Sequence, residues 1–483
     1  MSQTVKQKIY SGIFWQGICN LGNFGFGFII SVVLARLLTP DDYGIIAIIG
    51  VFMSFLSVFI DSGFGTALIQ KKDLTKEETS SVFFLNITVA VLMYGILFFA
   101  APYIAEFYHR NELAFYIRIV ALAMIISSFS IVQGALLNKD MRFDIIFRIS
   151  MISQISAGCV GIVLAFCGGG VWALIVQTML ASSIRMILQW WWGRWRPLKK
   201  FDFKSLKYLY SFGWKMFCSS ILNNLYDNIY PLVLGRLFNL TTLSYYGRGQ
   251  QIPFLGMNIV NSTLGKVLFP TFSLLQEDKN KSKKLMQRGI KNIMFIIIPG
   301  MTLLWLSSDS IVYIVYGSQW MDAVPYLKIF CFIAMLYPLH TINLQYLTAN
   351  GRSDVFLILE IIKKIQTLVI LFLTYKYGPL GMVKGVLIGS VIGYFENSWM
   401  TGRSLLYGSK KQLLDIVPIF FIAGCSCVIT MWCTSFIKNI YCNFTIGVVV
   451  FCICYFGISF LFHKIPEDIL SLFQEKILRK LKS

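Results

Sequence analysis

Charged residues are scarce in this chain. Only 14% of its 483 residues are Asp, Glu, Lys or Arg, against roughly 25% in soluble domains. Acidic residues are the rarer class, at 23 against 43 Lys and Arg, whereas 56% of the chain is apolar and 16% is aromatic. This composition excludes a soluble globular domain and a disordered chain, and it indicates a protein embedded in a membrane.

Residues suited to catalysis or metal binding are few. The three histidines, His109, His340 and His463, are scattered, and most of the eleven cysteines fall in apolar runs, where a free thiol behaves as a small hydrophobic group. The sequence contains no G-x-x-x-x-G-K-S/T loop for a nucleotide. We therefore predict a protein without cofactor, metal or enzymatic activity, in which His340 is a hydrogen-bonded core residue.

The net charge of +20 is explained by the loops between apolar segments. If the N-terminus is cytoplasmic, only Arg110, Lys376 and Lys438 fall in outer loops, so the bias of Lys and Arg toward inner loops puts both termini in the cytoplasm. We therefore predict membrane lipids, and not nucleic acid, as partners of the basic residues.

Apolar windows of about 20 residues predict fourteen spans, at residues 11–36, 43–69, 82–104, 113–137, 144–166, 170–192, 208–236, 243–272, 289–308, 323–347, 354–375, 379–400, 413–435 and 443–462.

An internal repeat is visible at an offset of 200 residues. Both copies begin on the inner side and contain six spans, which is typical of parallel repeats in secondary transporters. We predict an all-α polytopic fold with two pseudo-symmetric six-helix lobes and two extra C-terminal helices. The pairs matched at this offset are Leu34 with Leu234, Arg36 with Arg236 and Leu37 with Leu237, and a few residues on Tyr43-Gly44 is repeated as Tyr246-Gly247. The predicted domains are an N-terminal lobe at 1–192, a basic cytoplasmic linker at 193–207, a C-terminal lobe at 208–400, and two helices with an amphipathic tail at 401–483.

The opening of the chain resembles a known family of membrane transporters. Trp15, the run LARLLTPDDYG at Leu34–Gly44 and the run DSGFG at Asp61–Gly65 resemble the opening of Wzx-type polysaccharide-unit flippases. These belong to the multidrug/oligosaccharidyl-lipid/polysaccharide exporter superfamily, with the multidrug and toxin extruders and the lipid II flippases. The resemblance implies a bacterial inner-membrane protein of O-antigen, lipopolysaccharide or capsule biosynthesis. It would move undecaprenyl-diphosphate-linked oligosaccharide to the outer leaflet by alternating access, with H⁺ or Na⁺ and polysaccharide polymerase machinery as further candidate partners.

Span eight carries a polar stripe along one helical face. Arg248, Gln251, Asn258, Ser262 and Lys266 follow one another at steps of 3, 7, 4 and 4 residues, which keeps all five on the same side of a helix. A charged side chain at the bilayer centre costs about 2.5–3.5 kcal/mol or more. A stripe of this length is therefore expected to face either a hydrated cavity or hydrogen-bonding partners inside a packed bundle.

The leading helices of the two halves carry further polar residues at helical spacing. Because the repeat puts these helices in equivalent positions, we expect a hydrated cavity between the lobes, although interhelical hydrogen bonding in a packed bundle is the alternative. The residues are Asn20 and Asn23 on span one, Ser54, Ser57 and Asp61 on span two, and Lys215, Ser220, Asn223, Asn224 and Asp227 on span seven.

A cationic cavity of this kind suits a diphosphate, because ammonium and guanidinium groups form charge-assisted hydrogen bonds with phosphate oxygens. We expect Arg248, Lys266, Lys215 and Arg236, in that order, to bind it. Asp61 and Asp227 are candidates for carrying a proton or Na⁺, with pairing to a neighbouring cation as the alternative. The full predicted cavity lining is Arg248, Lys266, Lys215, Arg236, Gln251, Asn258, Asn20, Asn23, Asn223 and Asn224.

Span twelve carries glycines at every fourth position, Gly381, Gly385, Gly389 and Gly393. This spacing allows the backbone of another helix to approach closely. The sequence leaves open whether that helix belongs to the same lobe or to a second subunit.

Two other functions remain as alternatives. A cation-coupled multidrug extruder of the same superfamily is expected to have an acid-rich cavity and twelve spans. A membrane-embedded glycan polymerase or ligase is expected to carry a large extracytoplasmic loop with paired catalytic residues. The fourteen predicted spans, the basic stripe and the short outer loops favour the flippase. The glycan, the coupling ion, the oligomeric state and the conformational state are left open by the sequence.

Overall fold

The structure is a computed structural model. It describes residues 22, 25–61, 63–71, 73–199, 201–466 and 468, and within these ranges it leaves out the side chains of Thr66, residues 203–213 and Lys215. The described chain forms long α-helices joined by short turns, which confirms the prediction of an all-α multi-pass membrane protein.

Seventeen α-helices are described, and most coincide with a predicted span. The first ten are α1 Gly25–Leu37, α2 Pro40–Asp61, α3 Phe64–Gln70, α4 Lys76–Phe107, α5 Glu112–Ser128, α6 Ile131–Lys139, α7 Phe143–Phe166, α8 Val171–Trp192, α9 Phe203–Leu237 and α10 Leu240–Leu274. The remaining helices are α11 Lys279–Leu306, α12 Ser308–Val315, α13 Val324–Ala349, α14 Ser353–Thr374, α15 Gly378–Leu405, α16 Ser409–Thr434 and α17 Ile440–Leu461, with short 3-10 helices at Ser318–Ala323 and Tyr375–Tyr377.

Among the described residues, eight helical segments are long and apolar enough to cross a membrane. The number becomes nine if α5 and α6, which are bent by 44° at their junction, form one broken span. The polar helices α9 and α10 are not among these segments. The total of fourteen spans stays a prediction.

By its packing the chain divides into two compact units, with unit 1 ending at Ser244 and unit 2 beginning at Tyr245. This division falls near the start of α10, so α9 belongs to unit 1. The boundaries of the predicted lobes follow the sequence repeat, which assigns span seven, the segment of α9, to the second half. Packing and repeat thus divide the chain at different places, and the predicted lobe boundaries stay predictions.

Local sequence explains where several helices begin. Pro40 starts α2, and its fixed φ suits the first helical turn. Thr75 caps α4 through a capping box with Glu78, in which each side chain bonds the other residue's backbone N–H. The Asn439 side chain accepts hydrogen bonds from the backbone N–H groups of Tyr441 and Cys442 at the start of α17.

Helix boundaries recur with the offset of the sequence repeat. Helix α1 ends at Leu37 and α2 begins at Pro40, while α9 ends at Leu237 and α10 begins at Leu240. In each turn the side chain at the equivalent position caps the following helix: Thr39 Oγ1 accepts from the Asp42 N–H at 3.3 Å, and Asn239 Oδ1 accepts from the Thr242 N–H at 2.6 Å. The two short turns are therefore structurally equivalent.

The first part of the predicted linker packs on unit 1. The Trp195 indole N–H donates to Thr79 Oγ1 at 2.9 Å, and the backbone N–H of Leu198 donates to Ser80 Oγ at 2.8 Å. Asp202 donates its backbone N–H to Ser81 Oγ at 2.8 Å. These bonds fix the segment against the first turns of α4.

Unit 2 contains a large continuous core between α10, α11, α13, α16 and α17. Phe272, Ile290, Met294 and Ile342 are fully buried within it. The Tyr455 hydroxyl is also buried and donates to the Phe295 carbonyl at 2.9 Å, which satisfies its polar group inside the core. This core fixes the positions of the helices that carry the polar residues of unit 2.

The glycine ridge of α15 packs against α14 of the same unit. A Cβ added at Gly385 would lie 2.8 Å from Thr374 Oγ1 and 2.9 Å from a methyl carbon of Ile370. Gly389 likewise faces Ile370. The close helix approach predicted from the glycine spacing is therefore made within one chain.

Candidate functional site

Arg248, the first residue of the predicted stripe on α10, is buried in unit 2. Its guanidinium carbon lies 5.1 Å from the ring centroid of Tyr316 and 5.3 Å from that of Trp320. Its Nη1 donates to Gln251 Oε1 at 2.5 Å, and the Tyr316 hydroxyl donates to the same oxygen at 3.3 Å. Two predicted site residues, Arg248 and Gln251, are thus brought together with two aromatic rings.

The rest of the α10 stripe is exposed. Asn258, Ser262 and Lys266 each have exposed side chains in the middle and second half of the helix. The Ser262 hydroxyl donates to the carbonyl of Ile259 in the preceding turn. Lys266 forms no ion pair with any residue that the structure describes. A lysine in this position requires water or an anionic partner, because hydrocarbon does not solvate an ammonium group.

Helices α2 and α9 are joined by a polar contact in unit 1. The Ser54 hydroxyl donates to Asn224 Oδ1 at 3.3 Å, and the Asn224 amide donates to the Ser54 carbonyl at 3.2 Å. Asn228 donates to the same hydroxyl at 3.3 Å. The neighbouring residues Asn223 and Asp227 of α9 are exposed. The predicted polar face of α9 is therefore partly used in packing against α2 and partly exposed.

Arg236 lies at the end of α9 against the turn that follows α4. Its Nη1 is 2.7 Å from His109 Nε2, and its guanidinium carbon is 4.5 Å from the ring centroid of Phe107. Asp41, in the first turn of α2, forms an ion pair with Arg110 at 2.6 Å and accepts a hydrogen bond from Thr241 at 3.1 Å. This end of unit 1 is held by interactions between the α1–α2, α4–α5 and α9–α10 turns.

Asp61 closes the turn between α2 and α3. Its Oδ1 accepts a hydrogen bond from the Gly65 N–H at 3.2 Å, and a Cβ at Gly65 would lie only 2.5 Å from that oxygen. The DSGFG run is thus a carboxylate-stabilised turn in which Gly65 permits the close approach. The carboxylate is half-buried and already accepts a hydrogen bond.

Three of the predicted site residues are not placed by the structure. Asn20 and Asn23 lie outside the described residues, and the side chain of Lys215 is not described. Their roles stay predictions.

Sequence reasoning missed the aromatic and histidine partners of the arginines. Tyr316 and Trp320 belong to the segment between α12 and α13, and His109 belongs to the turn after α4. These residues meet Arg248 and Arg236 only through tertiary folding, so helical spacing gives no sign of them. The aromatic-rich run from Tyr313 to Trp320 was the one available hint.

The interpretation of His340 as a hydrogen-bonded core residue is confirmed. Its ring nitrogens lie 3.2 Å from Ser390 Oγ and 3.0 Å from Asn397 Nδ2, and both partners come from α15. The side chains of His340 and Lys363 both lie beside Gly393, and Lys363 pairs with Glu360 of its own helix, α14, at 3.1 Å. This network joins α13 to α15 inside unit 2.

A family model described as polysaccharide biosynthesis protein matches residues 33–325, which is more than half of the chain. The chain belongs to this family. The resemblance of its opening sequence to polysaccharide-unit flippases is therefore confirmed at the level of the family.

Relatives of this polysaccharide biosynthesis protein cover most of its length. It is 25% identical over 424 residues to the teichuronic acid biosynthesis protein TuaB of Bacillus subtilis, with 87% of this chain and 88% of the relative covered. It is 26% identical to the succinoglycan biosynthesis transport protein ExoT of Rhizobium meliloti, covering 76% and 74%. It is 23% identical to the lipopolysaccharide biosynthesis protein WzxC of Escherichia coli, covering 85% and 84%.

Solved structures show the same fold. The lipid II flippase MurJ in an inward closed conformation is similar with a TM-score of 0.75 and 16% identity, over 94% of this chain and 99% of that chain. An inward-facing multidrug transporter of the MATE family is similar with a TM-score of 0.62 and 14% identity, over 84% and 98%. The family member described here therefore has the same helical fold as these two proteins.

Proposed function

We propose that this protein flips undecaprenyl-diphosphate-linked oligosaccharide repeat units across the bacterial inner membrane by alternating access, as a transporter and not an enzyme. Family membership supports a role in polysaccharide biosynthesis, and two relatives are named for succinoglycan transport and lipopolysaccharide biosynthesis. The observation that carries the proposal is the exposed polar face of α10, with Asn258, Ser262 and Lys266. Such a face in a spanning helix needs an aqueous path.

The diphosphate of the substrate is the group that a basic face recognises best. Lys266 is exposed on a helix that spans the membrane in the proposed topology, so its ammonium group is available for a charge-assisted hydrogen bond to a phosphate oxygen. Arg248, Lys215 and Arg236 are the further cations proposed for this role. The proposed amide groups for substrate hydroxyls are Gln251, Asn258, Asn20, Asn23, Asn223 and Asn224.

Movement of a charged substrate requires an energy source, and a carboxylate that takes up H⁺ or Na⁺ is the proposed device. Asp227 is one candidate, with its side chain exposed on α9, and Asp61 is the other. Asp61 Oδ1 already accepts a hydrogen bond from the Gly65 N–H in a local turn, so a cation at this oxygen would compete with that hydrogen bond. The proposed topology keeps both termini in the cytoplasm, with membrane lipids and polysaccharide polymerase machinery as partners.

Deletion of the gene, followed by analysis of lipid-linked oligosaccharide, tests the function. The flippase proposal predicts that the lipid-linked repeat unit accumulates on the cytoplasmic leaflet and that surface polysaccharide is lost. Normal surface polysaccharide with altered drug tolerance would favour a multidrug extruder and reject the proposal. Single repeat units that reach the outer leaflet but are not joined would indicate a polymerase or ligase.

A further inference from the structure

A cavity of about 460 Å³ lies in unit 2, beside the first halves of α11 and α16 and the segment that follows α17. Its walls are partly basic, with Arg288, Lys291 and Lys464, and partly apolar, with Leu414 and Pro418. In the predicted topology all of these residues lie at the cytoplasmic side of the membrane. None of them belongs to the polar faces of α9 and α10 proposed for substrate transport.

The acidic residues of this cavity are already engaged. Asp415 forms an ion pair with Lys291 at 2.9 Å and accepts a hydrogen bond from the Tyr407 hydroxyl at 2.8 Å. Asp468 accepts a hydrogen bond from the Asn292 amide at 2.8 Å. Lys291 is therefore neutralised by Asp415, and the carboxylate of Asp468 offsets part of the charge of Arg288 and Lys464, so the Asp, Lys and Arg residues of the lining keep a net charge of +1.

Arg288 and Lys464 supply that remaining charge. Both side chains are exposed, and neither forms an ion pair with another residue that the structure describes. They reach the cavity from different parts of the chain, Arg288 from α11 and Lys464 from the segment after α17. Two cations that converge on one cavity can bind a single phosphate through charge-assisted hydrogen bonds.

The apolar side of the cavity continues along α16. Leu414, Val417 and Phe421 are 63%, 53% and 71% exposed, and their spacing puts them on adjoining parts of one helical surface. In a membrane protein, exposed apolar side chains of this kind face lipid. The cavity thus combines a basic end with an apolar edge that continues toward the acyl region.

We propose that this cavity binds the phosphate group of an anionic amphiphile, with Arg288 and Lys464 as its ligands and Leu414 and Pro418 against the first carbons of its chains. A membrane phospholipid such as phosphatidylglycerol has this chemistry, and a free phosphate shares its charged part. Basic pockets between spanning helices at the cytoplasmic side recognise lipid headgroups in this way. The site shares no residue with those proposed for transport, and it would make unit 2 sensitive to the lipid composition of the inner leaflet.

Binding to the detergent-purified full-length protein tests this site. Native mass spectrometry would measure the affinity for phosphatidylglycerol and for phosphatidylcholine, and inorganic phosphate would be added as a competitor. The variant Arg288→Gln with Lys464→Gln removes both ligands. The control Arg194→Gln with Lys199→Gln removes the same charge from exposed positions in unit 1. The exchange variant Arg288→Lys with Lys464→Arg keeps both charges.

The proposal predicts that phosphatidylglycerol binds more tightly than phosphatidylcholine and that the double Gln variant weakens this binding at least about tenfold. The control and the exchange variant should keep the wild-type affinity. If millimolar inorganic phosphate displaces the lipid completely, the bound group is a free phosphate; if it does not, the lipid headgroup is the ligand. The proposal would be overturned if the double Gln variant bound phosphatidylglycerol with wild-type affinity while its melting temperature in phosphatidylcholine stayed unchanged. Absence of substrate flipping by the wild-type protein, with intact phosphatidylglycerol binding, would reject the proposed transport function and leave this site standing.

Discussion

The guanidinium of Arg248 lies over the ring of Tyr316, with its central carbon 5.1 Å from the ring centroid. The ring of Trp320 is 5.3 Å away, and Gln251 accepts a hydrogen bond from the same guanidinium. A buried cation held in this way contributes to the stability of unit 2. This role is distinct from the proposed contact of Arg248 with substrate, and measurements of stability and transport separate the two.

Replacement of Arg248 by Gln should destabilise the protein. The change removes two cation–π contacts and the hydrogen bond to Gln251, and we expect a loss of about 1–3 kcal/mol. Thermal unfolding of the purified protein in detergent measures this loss of stability. Lys266→Gln is the matched control on the same helix, because Lys266 is exposed, and its melting temperature should equal that of the wild type. Equal melting temperatures for the Arg248 variant and the control would contradict the stabilising role.

Two glycines of α2 should respond oppositely to the same change. A Cβ at Gly44 would overlap the backbone carbonyl of Leu240, whereas a Cβ at Gly50 meets no described atom within 4 Å. We expect Gly44→Ala to cost about 1–3 kcal/mol or more, because two backbones must separate. Gly50→Ala should be neutral or stabilising by about 0.5–1 kcal/mol, since alanine is the better helix former. Thermal unfolding checks both, and a neutral Gly44→Ala would rule out the close contact.

The contact between Ser54 and Asn224 can be measured by a double-mutant cycle. The single variants Ser54→Ala and Asn224→Ala and their combination give the coupling free energy, which should be near 0.6 kcal/mol, roughly the average for hydrogen bonds within membranes. The free energies of unfolding are measured in mixed micelles that contain an increasing fraction of denaturing detergent. Exposed Asn223 serves as the control, and Ser54→Ala with Asn223→Ala should be additive. A cycle with no coupling for Asn224 would show that α2 and α9 do not meet through these groups.

Asp278 should stabilise α11 in a pH-dependent manner. Its carboxylate accepts a hydrogen bond from the Lys281 N–H at 2.9 Å and pairs with the Lys281 ammonium at 3.1 Å, which lowers the pKa of Asp278. Because the folded pKa is lowered, the stabilisation is complete above the unfolded pKa of about 3.9 and is lost as the pH falls through the folded value.

Asp278→Ala should therefore lower the melting temperature at pH 7, and the difference from the wild type should shrink as the pH falls below 4. Asp278→Asn keeps a side-chain acceptor for the helix cap, so it should resemble the wild type more closely at pH 7. A pH-independent difference for the Ala variant would contradict the role of the ionised carboxylate.

The sequence predicts most helices because each is a single apolar segment ending at a recognisable residue. The end of α1 at Leu37 and the start of α2 at Pro40 follow from the apolar run and the proline, and the repeat transfers them to Leu237 and Leu240. The breaks before α3 and α6 were not predicted, since an apolar window of about 20 residues averages over the short polar runs at Asp61–Gly63 and Ser127–Ser130.

The candidate site could be predicted only as a pattern along each helix. Spacing put Arg248 and Gln251 on one face, and the structure confirms that they contact each other. Spacing does not distinguish exposed Lys266 from buried Arg248, because the burial of Arg248 depends on Tyr316 and Trp320 from a distant turn. The spacing of the glycines on α15 likewise does not show which helix packs against them, and only the tertiary structure places Thr374 of α14 beside Gly385.

The central claim is that Lys266 contacts the phosphate of the transported lipid. The most direct measurement is the fraction of lipid-linked oligosaccharide exposed on the outer leaflet in cells whose only copy is wild type, Lys266→Gln or Lys284→Gln, at equal expression. Lys284 is exposed on α11 in the predicted cytoplasmic region and is the control. The account predicts a loss of about tenfold or more for Lys266→Gln and none for Lys284→Gln. Wild-type export by the Lys266 variant would contradict it.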